Sequence, residues 1–517
     1  MSRFSIYLVS SVAAIGGLLF GYDIGVVSGV LTMAHFKATF PGGPTFKGAI
    51  VSSLMAGCFL GALFTALFVD RIGRRYSLCI GALVFLLGGA LQASATDFAQ
   101  LYTGRSISGL SVGLFSVVVP LYQSEIAPRI LRGRVVTLYQ LAITIGISLS
   151  YWLNYFFSEL PDNRQWRIPL SIQCIPAILL AIATMFLPDS PRWLVNKNRD
   201  AEAMRVLRLL MANAAEANQE YIQIKQNVRF EHTYVSDSYR TMFRKGPENL
   251  RRRMVLGVCL QVFQQLTGIN SVMFFAPEIY RNIGFRTDSL ALFATGISGI
   301  VNIVFTLPTF YLVDRWGRRP TLISGALLMC VSMAVVSGLL GSHSELRDTP
   351  AENTEATLLL DSPASEYASI IMLYLFVASF AYSWSTVTWL IPAEIFPQRI
   401  RGKANSVTSA ANWAANWAIG QLSPLLMVNS EWAMYAIFAI CCAAMGLFVY
   451  LFLPETKGKS LEEMDLIFGG DLKDGDLGLH HPATAAETIR HVQHLAPLSD
   501  RPINRVLPDS MSDDLRL

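Results

Sequence analysis

Of the 517 residues, 52% are hydrophobic and only 15% charged, with mean hydropathy +0.42. Soluble domains carry about 25% charged residues, so this surplus of apolar surface needs lipid as its solvent and excludes an ordinary water-soluble fold. The net charge of +4 is small and its Lys and Arg residues fall in short clusters between apolar runs, which excludes a basic face for nucleic acid.

Apolar stretches of roughly 20 residues, each able to cross a bilayer, run over 5–30, 48–69, 76–95, 98–125, 134–157 and 167–187. The first contains Asp23, lacks a small-residue cleavage site and is followed by similar runs, so it reads as a membrane helix and not a signal peptide. A second set covers 254–280, 290–313, 320–341, 367–396, 403–427 and 431–453. This predicts four regions: an N-terminal six-helix bundle (1–187), a polar linker with short helices (188–253), a C-terminal six-helix bundle (254–453) and a polar tail (454–517). The expected class is an all-α membrane protein of twelve transmembrane helices in two pseudo-symmetric bundles. The cysteines Cys58, Cys79, Cys174, Cys259, Cys330, Cys441 and Cys442 all lie in apolar runs without metal-ligand spacing, and read as buried small hydrophobes. No cofactor is expected.

Short loops rich in Lys and Arg stay on the cytoplasmic side. Arg71, Arg74 and Arg75 follow run two, Arg129, Arg132 and Arg134 run four, Arg315, Arg318 and Arg319 run eight, and Arg399, Arg401 and Lys403 run ten. The linker, with Arg251 to Arg253, falls on the same side, so both termini are expected in the cytoplasm. The longest opposite loop, 342–366, is acidic (Glu345, Asp348, Glu352, Glu355, Asp361, Glu366) and should face outward.

The two sets repeat one another. Asp70-Arg71-Ile72-Gly73-Arg74-Arg75 recurs 244 positions later as Asp314-Arg315-Trp316-Gly317-Arg318-Arg319. Glu125-Ile126 with Arg132-Gly133 recurs 269 positions later as Glu394-Ile395 with Arg401-Gly402, and the 25-residue discrepancy equals the length of loop 342–366. Duplication plus one loop insertion accounts for both offsets, and a substrate site is expected where the two bundles meet near the bilayer midplane.

Gly21-Tyr22-Asp23, the two Asp-Arg-x-Gly-Arg-Arg loops, Pro188-Asp189-Ser190-Pro191-Arg192, Gln264-Gln265-Leu266-Thr267-Gly268-Ile269-Asn270 and Pro454-Glu455-Thr456-Lys457-Gly458 occur in this order over residues 5 to about 465. In these motifs the chain resembles the sugar porter family of the major facilitator superfamily, particularly its fungal sugar/proton symporters. The resemblance implies the major facilitator fold and a monosaccharide, hexose or pentose, as cargo. The same architecture also carries disaccharides, inositol, glycerol and quinate-like acids.

Asp23 lies inside the first run, where an ionisable side chain is a functional hypothesis by default. Run one leads outward and run four inward, and at about 1.5 Å per residue Asp23 and Arg105 both fall in the outer half, within reach of each other. An Asp beside an Arg stays ionised and loses that support when the Arg withdraws, so a helix movement can load and release a proton. The resemblance agrees, since proton-coupled sugar porters carry Asp here and many uniporters Asn. The alternative is a structural ion pair in a facilitator.

Sugar hydroxyls both donate and accept hydrogen bonds, which suits amides, while the ring face suits an aromatic. Gln140, Gln264, Gln265, Asn270, Asn302 and Asn416 are amides within apolar runs, with Trp389 and Phe20 expected nearby, and the resemblance places sugar contacts at matching positions. Each amide taken singly also reads as an interhelical hydrogen bond. Phe274 and Phe275 are expected at an outer gate, and Asn412 and Trp413 read either as site or as packing.

The charged residues Asp70, Arg74, Glu125, Arg132, Asp314, Arg318, Glu394 and Arg401 form a belt at the cytoplasmic helix ends. They read as topology determinants or as a gate binding the two bundles together when the site faces outward. Gly17, Gly21, Gly25 and Gly29, Gly57 and Gly61, and Gly109 and Gly113 recur every fourth residue, a pattern of close helix packing.

The expected protein is therefore a plasma-membrane importer, functional as a monomer, with sugar, proton and lipid as its partners and no nucleic acid. A non-transporting sugar sensor would need a long signalling extension, which the tail from Pro454 to Leu517 does not resemble. No catalytic triad, metal cluster or phosphate-binding loop points to an enzyme.

Overall fold

A computed structural model describes residues 2–128, 131–211, 213–234, 243, 249–285, 287–346, 358–360, 362–457 and 467–468. The chain divides into a unit Met1–Phe468 and a second, Gly469–Leu517, whose residues fall outside those described.

Among the described residues eleven helices are long and apolar enough to cross a membrane, from Ile6–Val30 to Ser430–Phe452. A twelfth crossing lies in the 55-residue helix Gln398–Phe452, whose backbone leaves helical geometry at Ser430 (φ −166°, ψ 85°). At 1.5 Å per residue a straight helix of this length would run about 80 Å, far beyond a hydrocarbon core of about 30 Å, so the chain reverses at Ser430. Its first arm is less apolar than the other crossings, since Arg401, Lys403, Asn405, Asn412, Asn416 and Gln421 lie along it. The protein is thus a twelve-crossing helical membrane protein.

The first half consists of Ser2–Val30, Pro44–Ile72, Arg74–Ala93, Phe98–Ile126, Arg132–Phe157 and a sixth crossing bent between Arg164–Ile172 and Cys174–Thr184. Crossing one lies directly on crossing five: a Cβ at Gly21 would overlap the Ile143 carbonyl, and one at Gly146 the Leu18 carbonyl. Crossings two and four approach equally closely, through Gly57 and Gly61 against the Ser106 and Leu110 carbonyls. The fourfold glycine spacing therefore serves close helix packing, as read.

In the second half the seventh crossing is broken into Leu250–Leu266, Ile269–Phe274 and Ala276–Ile283, and the tenth into Pro363–Tyr382 and Trp384–Ile395. Gly268 makes the first break with φ +83°, a conformation that L side chains rarely adopt, and any Cβ there would also strike the Phe438 ring. The halves meet where crossing two packs along crossing eleven and crossing five along crossing eight.

One feature departs from an all-α chain. Inside loop 342–366, Ser344–Leu346 pairs antiparallel with Leu358–Leu360, in register Ser344↔Leu360. Once outside the helices the backbone must satisfy its N–H and C=O groups another way, and a short ribbon does so. The linker forms helices Pro191–Asn196, Asp200–Leu210 and Ala214–Tyr234 around a small core of Trp193, Leu194, Val195, Ala203 and Val228.

Candidate functional site

The break after Leu266 turns three amides towards crossing eleven, where they form one continuous network. Gln265 Nε2 donates to Asn412 Oδ1 at 2.9 Å, and Asn270 Nδ2 donates to Gln265 Oε1 at 2.6 Å. Asn412 Nδ2 in turn donates to Gln261 Oε1 and Gln264 Oε1, both at 2.7 Å. Backbone carbonyls exposed at the tenth crossing complete the set: Gln264 Nε2 donates to Trp384 O at 2.9 Å and Gln261 Nε2 to Thr388 O at 3.0 Å. Broken helices thus supply a cluster of buried donors and acceptors at the bundle interface, which is what a polyol ligand needs.

Gln264, Gln265 and Asn270 are brought together as expected. Asn412 is the hub of the network and Gln261 its further member; sequence reasoning left the first undecided and missed the second. The available signal was spacing, since Gln261 precedes Gln264 and Gln265 by three and four residues on one helix face. Phe20 reaches the same region from the first half, its ring 5.1 Å from that of Trp413, whose Nε1 donates to Ser116 Oγ at 3.2 Å. Trp389 follows Thr388 and is half-buried, and Asn416 sits one turn beyond Asn412, buried with its Oδ1 unpartnered. Asn302 is buried on crossing eight and Gln140 half-buried on crossing five. No direct hydrogen bond ties Gln140, Asn302 or Asn416 to the cluster among the described residues.

Asp23 and Arg105 meet, with Nη1 to Oδ1 at 3.4 Å and side chains 0% and 1% exposed. Arg105 Nε also donates to the Ile50 carbonyl at 2.7 Å. Asp23 Oδ2 and Arg105 Nη2 have no hydrogen-bond partner, so the pair is long and incompletely satisfied. Its burial makes separation of the charges costly while Asp23 is ionised.

At the arginine-rich end two ion-pair clusters lie each within one half. Arg74 binds Glu125 at 2.8 Å and Asp70 at 3.1 Å, all in the first half. Arg318 binds Glu394 at 2.7 Å in the second, where Thr456 Oγ1 also donates to Glu394 and Glu455 accepts from the Arg318 and Arg319 N–H groups. Arg401 donates to the Phe396 carbonyl. The side chains of Arg132 and Asp314 lie outside the described residues. The repeated motif thus places Arg74 and Arg318 each beside the Glu of its own half, clamping loop to helix end. The linker joins the same end, with Trp193 Nε1 donating to the Asp70 carbonyl at 3.0 Å and Asp189 accepting from the Arg75 N–H at 3.3 Å. Burial pushes the Asp189 carboxyl above its ordinary range, against the pull of that N–H and of Arg75.

At the opposite end, polar contacts do cross between the halves. Lys47 binds Glu278 at 2.8 Å, with the two side chains 19% and 16% exposed, and Ser52 Oγ donates to Gln421 Oε1 at 2.8 Å. Tyr151 OH donates to the Met273 carbonyl, also at 2.8 Å, beside the buried Phe274 and Phe275. These contacts hold the two halves together at this end.

Comparison with known proteins gives the same architecture. The family described as "Sugar (and other) transporter" matches residues 9–468. The galactose-proton symporter of Escherichia coli K12 is 37% identical over 483 residues, covering 92% of this chain and 97% of that protein. The major facilitator-type transporter ecdD of Aspergillus rugulosus is 37% identical over 481 residues (89% and 87%), and a high-affinity glucose transporter of Kluyveromyces lactis 34% over 476 (89% and 85%). Among solved structures, the proton:xylose symporter XylE bound to 6-bromo-6-deoxy-D-glucose superimposes with a TM-score of 0.75 at 31% identity, covering 90% of this chain and 99% of that one.

Proposed function

The chain belongs to the sugar (and other) transporter family of the major facilitator superfamily, and we propose that it imports a monosaccharide together with a proton by alternating access. The buried Asp23–Arg105 pair carries the reading, because a transporter that merely equilibrates sugar has no need of an incompletely satisfied ion pair inside the membrane. The amide network of Gln261, Gln264, Gln265, Asn270 and Asn412 binds the sugar hydroxyls, with Trp389, Asn416, Asn302, Gln140 and Phe20 closing around the ring. The arginine-rich end is cytoplasmic, with both termini there, in the plasma membrane, and the monomer is the working unit.

A proton on Asp23 removes the negative charge that holds Arg105, and the first bundle rearranges around bound sugar. Deprotonation on the cytoplasmic side re-forms the pair and resets the carrier. An empty carrier cannot cross with Asp23 ionised and Arg105 withdrawn, since an unpaired charge would be left in a low-dielectric region. Sugar added to a lightly buffered suspension of expressing cells is expected to alkalinise the medium. Asp23→Asn is expected to abolish accumulation while leaving downhill exchange. Sugar uptake by the parent without proton uptake would make it a facilitator and Asp23 a structural residue.

A further inference from the structure

A second carboxylate is buried in the membrane unit and plays no part in that scheme. Glu431 opens crossing twelve just past the reversal at Ser430, and is 2% exposed. Among the described residues, the groups around it provide no paired cation. Asn282 Nδ2, from the last piece of the broken seventh crossing, donates to Glu431 Oε2 at 3.2 Å. Oε1 and the fully buried Tyr435 hydroxyl, one turn along the same helix, neighbour each other without a hydrogen bond of normal geometry. Glu278, on the same piece as Asn282, adds a like charge, and Tyr280 lies near Tyr435. From crossing nine comes only a neutral contact, Ser337 Oγ to the Trp432 carbonyl at 2.8 Å. Of the cations at this mouth, Lys47 from the other half is committed to Glu278, Arg281 pairs with Asp288, and Lys37 from the other half lies among these four charges.

We propose that Glu431 is a proton-binding site of the outer mouth, separate from Asp23, which takes up a proton from the extracellular water as the mouth closes and returns it to the same side on reopening. The mouth in question is the end opposite the arginine-rich loops. Closure packs the seventh and twelfth crossings over Glu431, and an ionised carboxylate enclosed there without a paired cation is costly. Protonated, it is neutral, still accepts from the Asn282 amide, and gains an O–H for which the neighbouring Tyr435 hydroxyl oxygen is an acceptor. The proton is bound and released at one face, so it adds nothing to the number carried per sugar. Acid outside favours the closed mouth and alkali the open one.

The test uses the full-length protein in cells without sugar, and so stands apart from the fate of the Asp23 scheme. Val51, fully buried on crossing two beside Gly420 of crossing eleven, is replaced by Cys as a reporter of mouth opening. Its labelling by a membrane-impermeant maleimide is divided by that of Asp162→Cys in the outer loop, which corrects for the reagent's own pH dependence. In the parent background the ratio is expected to rise several-fold between about pH 5 and pH 8. With Glu431→Gln it is expected to stay low and flat, whereas Asn282→Ala, which removes a donor favouring the charged form, should move the midpoint to higher pH. A parent ratio independent of pH overturns the proposal. So does a Glu431→Gln ratio that still follows the parent or, where that variant fails to reach the surface, an Asn282→Ala midpoint that does not move.

Discussion

Asn412 shows how one side chain sets the character of the candidate site. Its two amide hydrogens go to Gln261 Oε1 and Gln264 Oε1, and its oxygen accepts from Gln265. Truncation leaves three buried amide atoms without a partner, at about 1–3 kcal/mol for each group that water or sugar cannot recover. Asn412→Ala is therefore expected to weaken sugar affinity by about one to two orders of magnitude, read as the KM of uptake at matched surface expression. An unchanged KM would leave Asn412 as packing alone. The chain displays every amide of the network, but which two belong together depends on helix rotation and crossing point. Gln265 and Asn412 are 147 residues apart and meet through the fold alone.

At the scale of helices, glycines set how closely the crossings approach. Gly21 faces a backbone carbonyl of crossing five, which cannot rotate aside as a side chain would, so even one methyl group must push two helices apart. Gly402, in the helix Gln398–Phe452, has open space where its Cβ would be. Gly21→Ala is expected to destabilise by about 1–3 kcal/mol through overpacking. Gly402→Ala should be neutral or stabilising by up to about 1 kcal/mol, because alanine restricts the unfolded chain. Thermal melting of the detergent-purified variants distinguishes the two, and equal melting points would refute the packing argument. The glycine spacing was legible in the sequence, as were the crossing helices themselves, since both follow from local composition. The breaks at Thr267–Gly268 and Ser383 were not, because glycine, serine and threonine also occur inside unbroken crossings of this chain, so local composition does not mark where a helix stops.

For the whole molecule, access is decided where the halves touch. At the arginine-rich end the pairs Arg74–Glu125 and Arg318–Glu394 each stay within a half, whereas Lys47–Glu278 at the opposite end spans the two. A partly exposed pair of this kind contributes about 1 kcal/mol at most, or about a five-fold shift between open and closed mouths. Lys47→Glu is expected to increase labelling of the Val51→Cys reporter by about that factor, and Lys47→Glu with Glu278→Lys to bring it back. Labelling that stays high in the double variant would show that the pair does not hold the mouth.

The sequence by itself determined the membrane class, the twelve crossings, the duplication and the likeness to sugar porters, because hydropathy, loop charge and ordered motifs are properties of short segments. It also singled out Asp23 and Arg105, since any charge within an apolar run is conspicuous and an opposite charge at matching depth is the natural partner. Tertiary structure alone decided that Asn412 and Gln261 complete the amide network, that Arg74 and Arg318 each pair with the Glu of their own half, and that Glu431 is enclosed without a paired cation among the described residues. Each of these depends on which faces of distant helices are turned towards one another, and that is fixed by the packing of whole bundles.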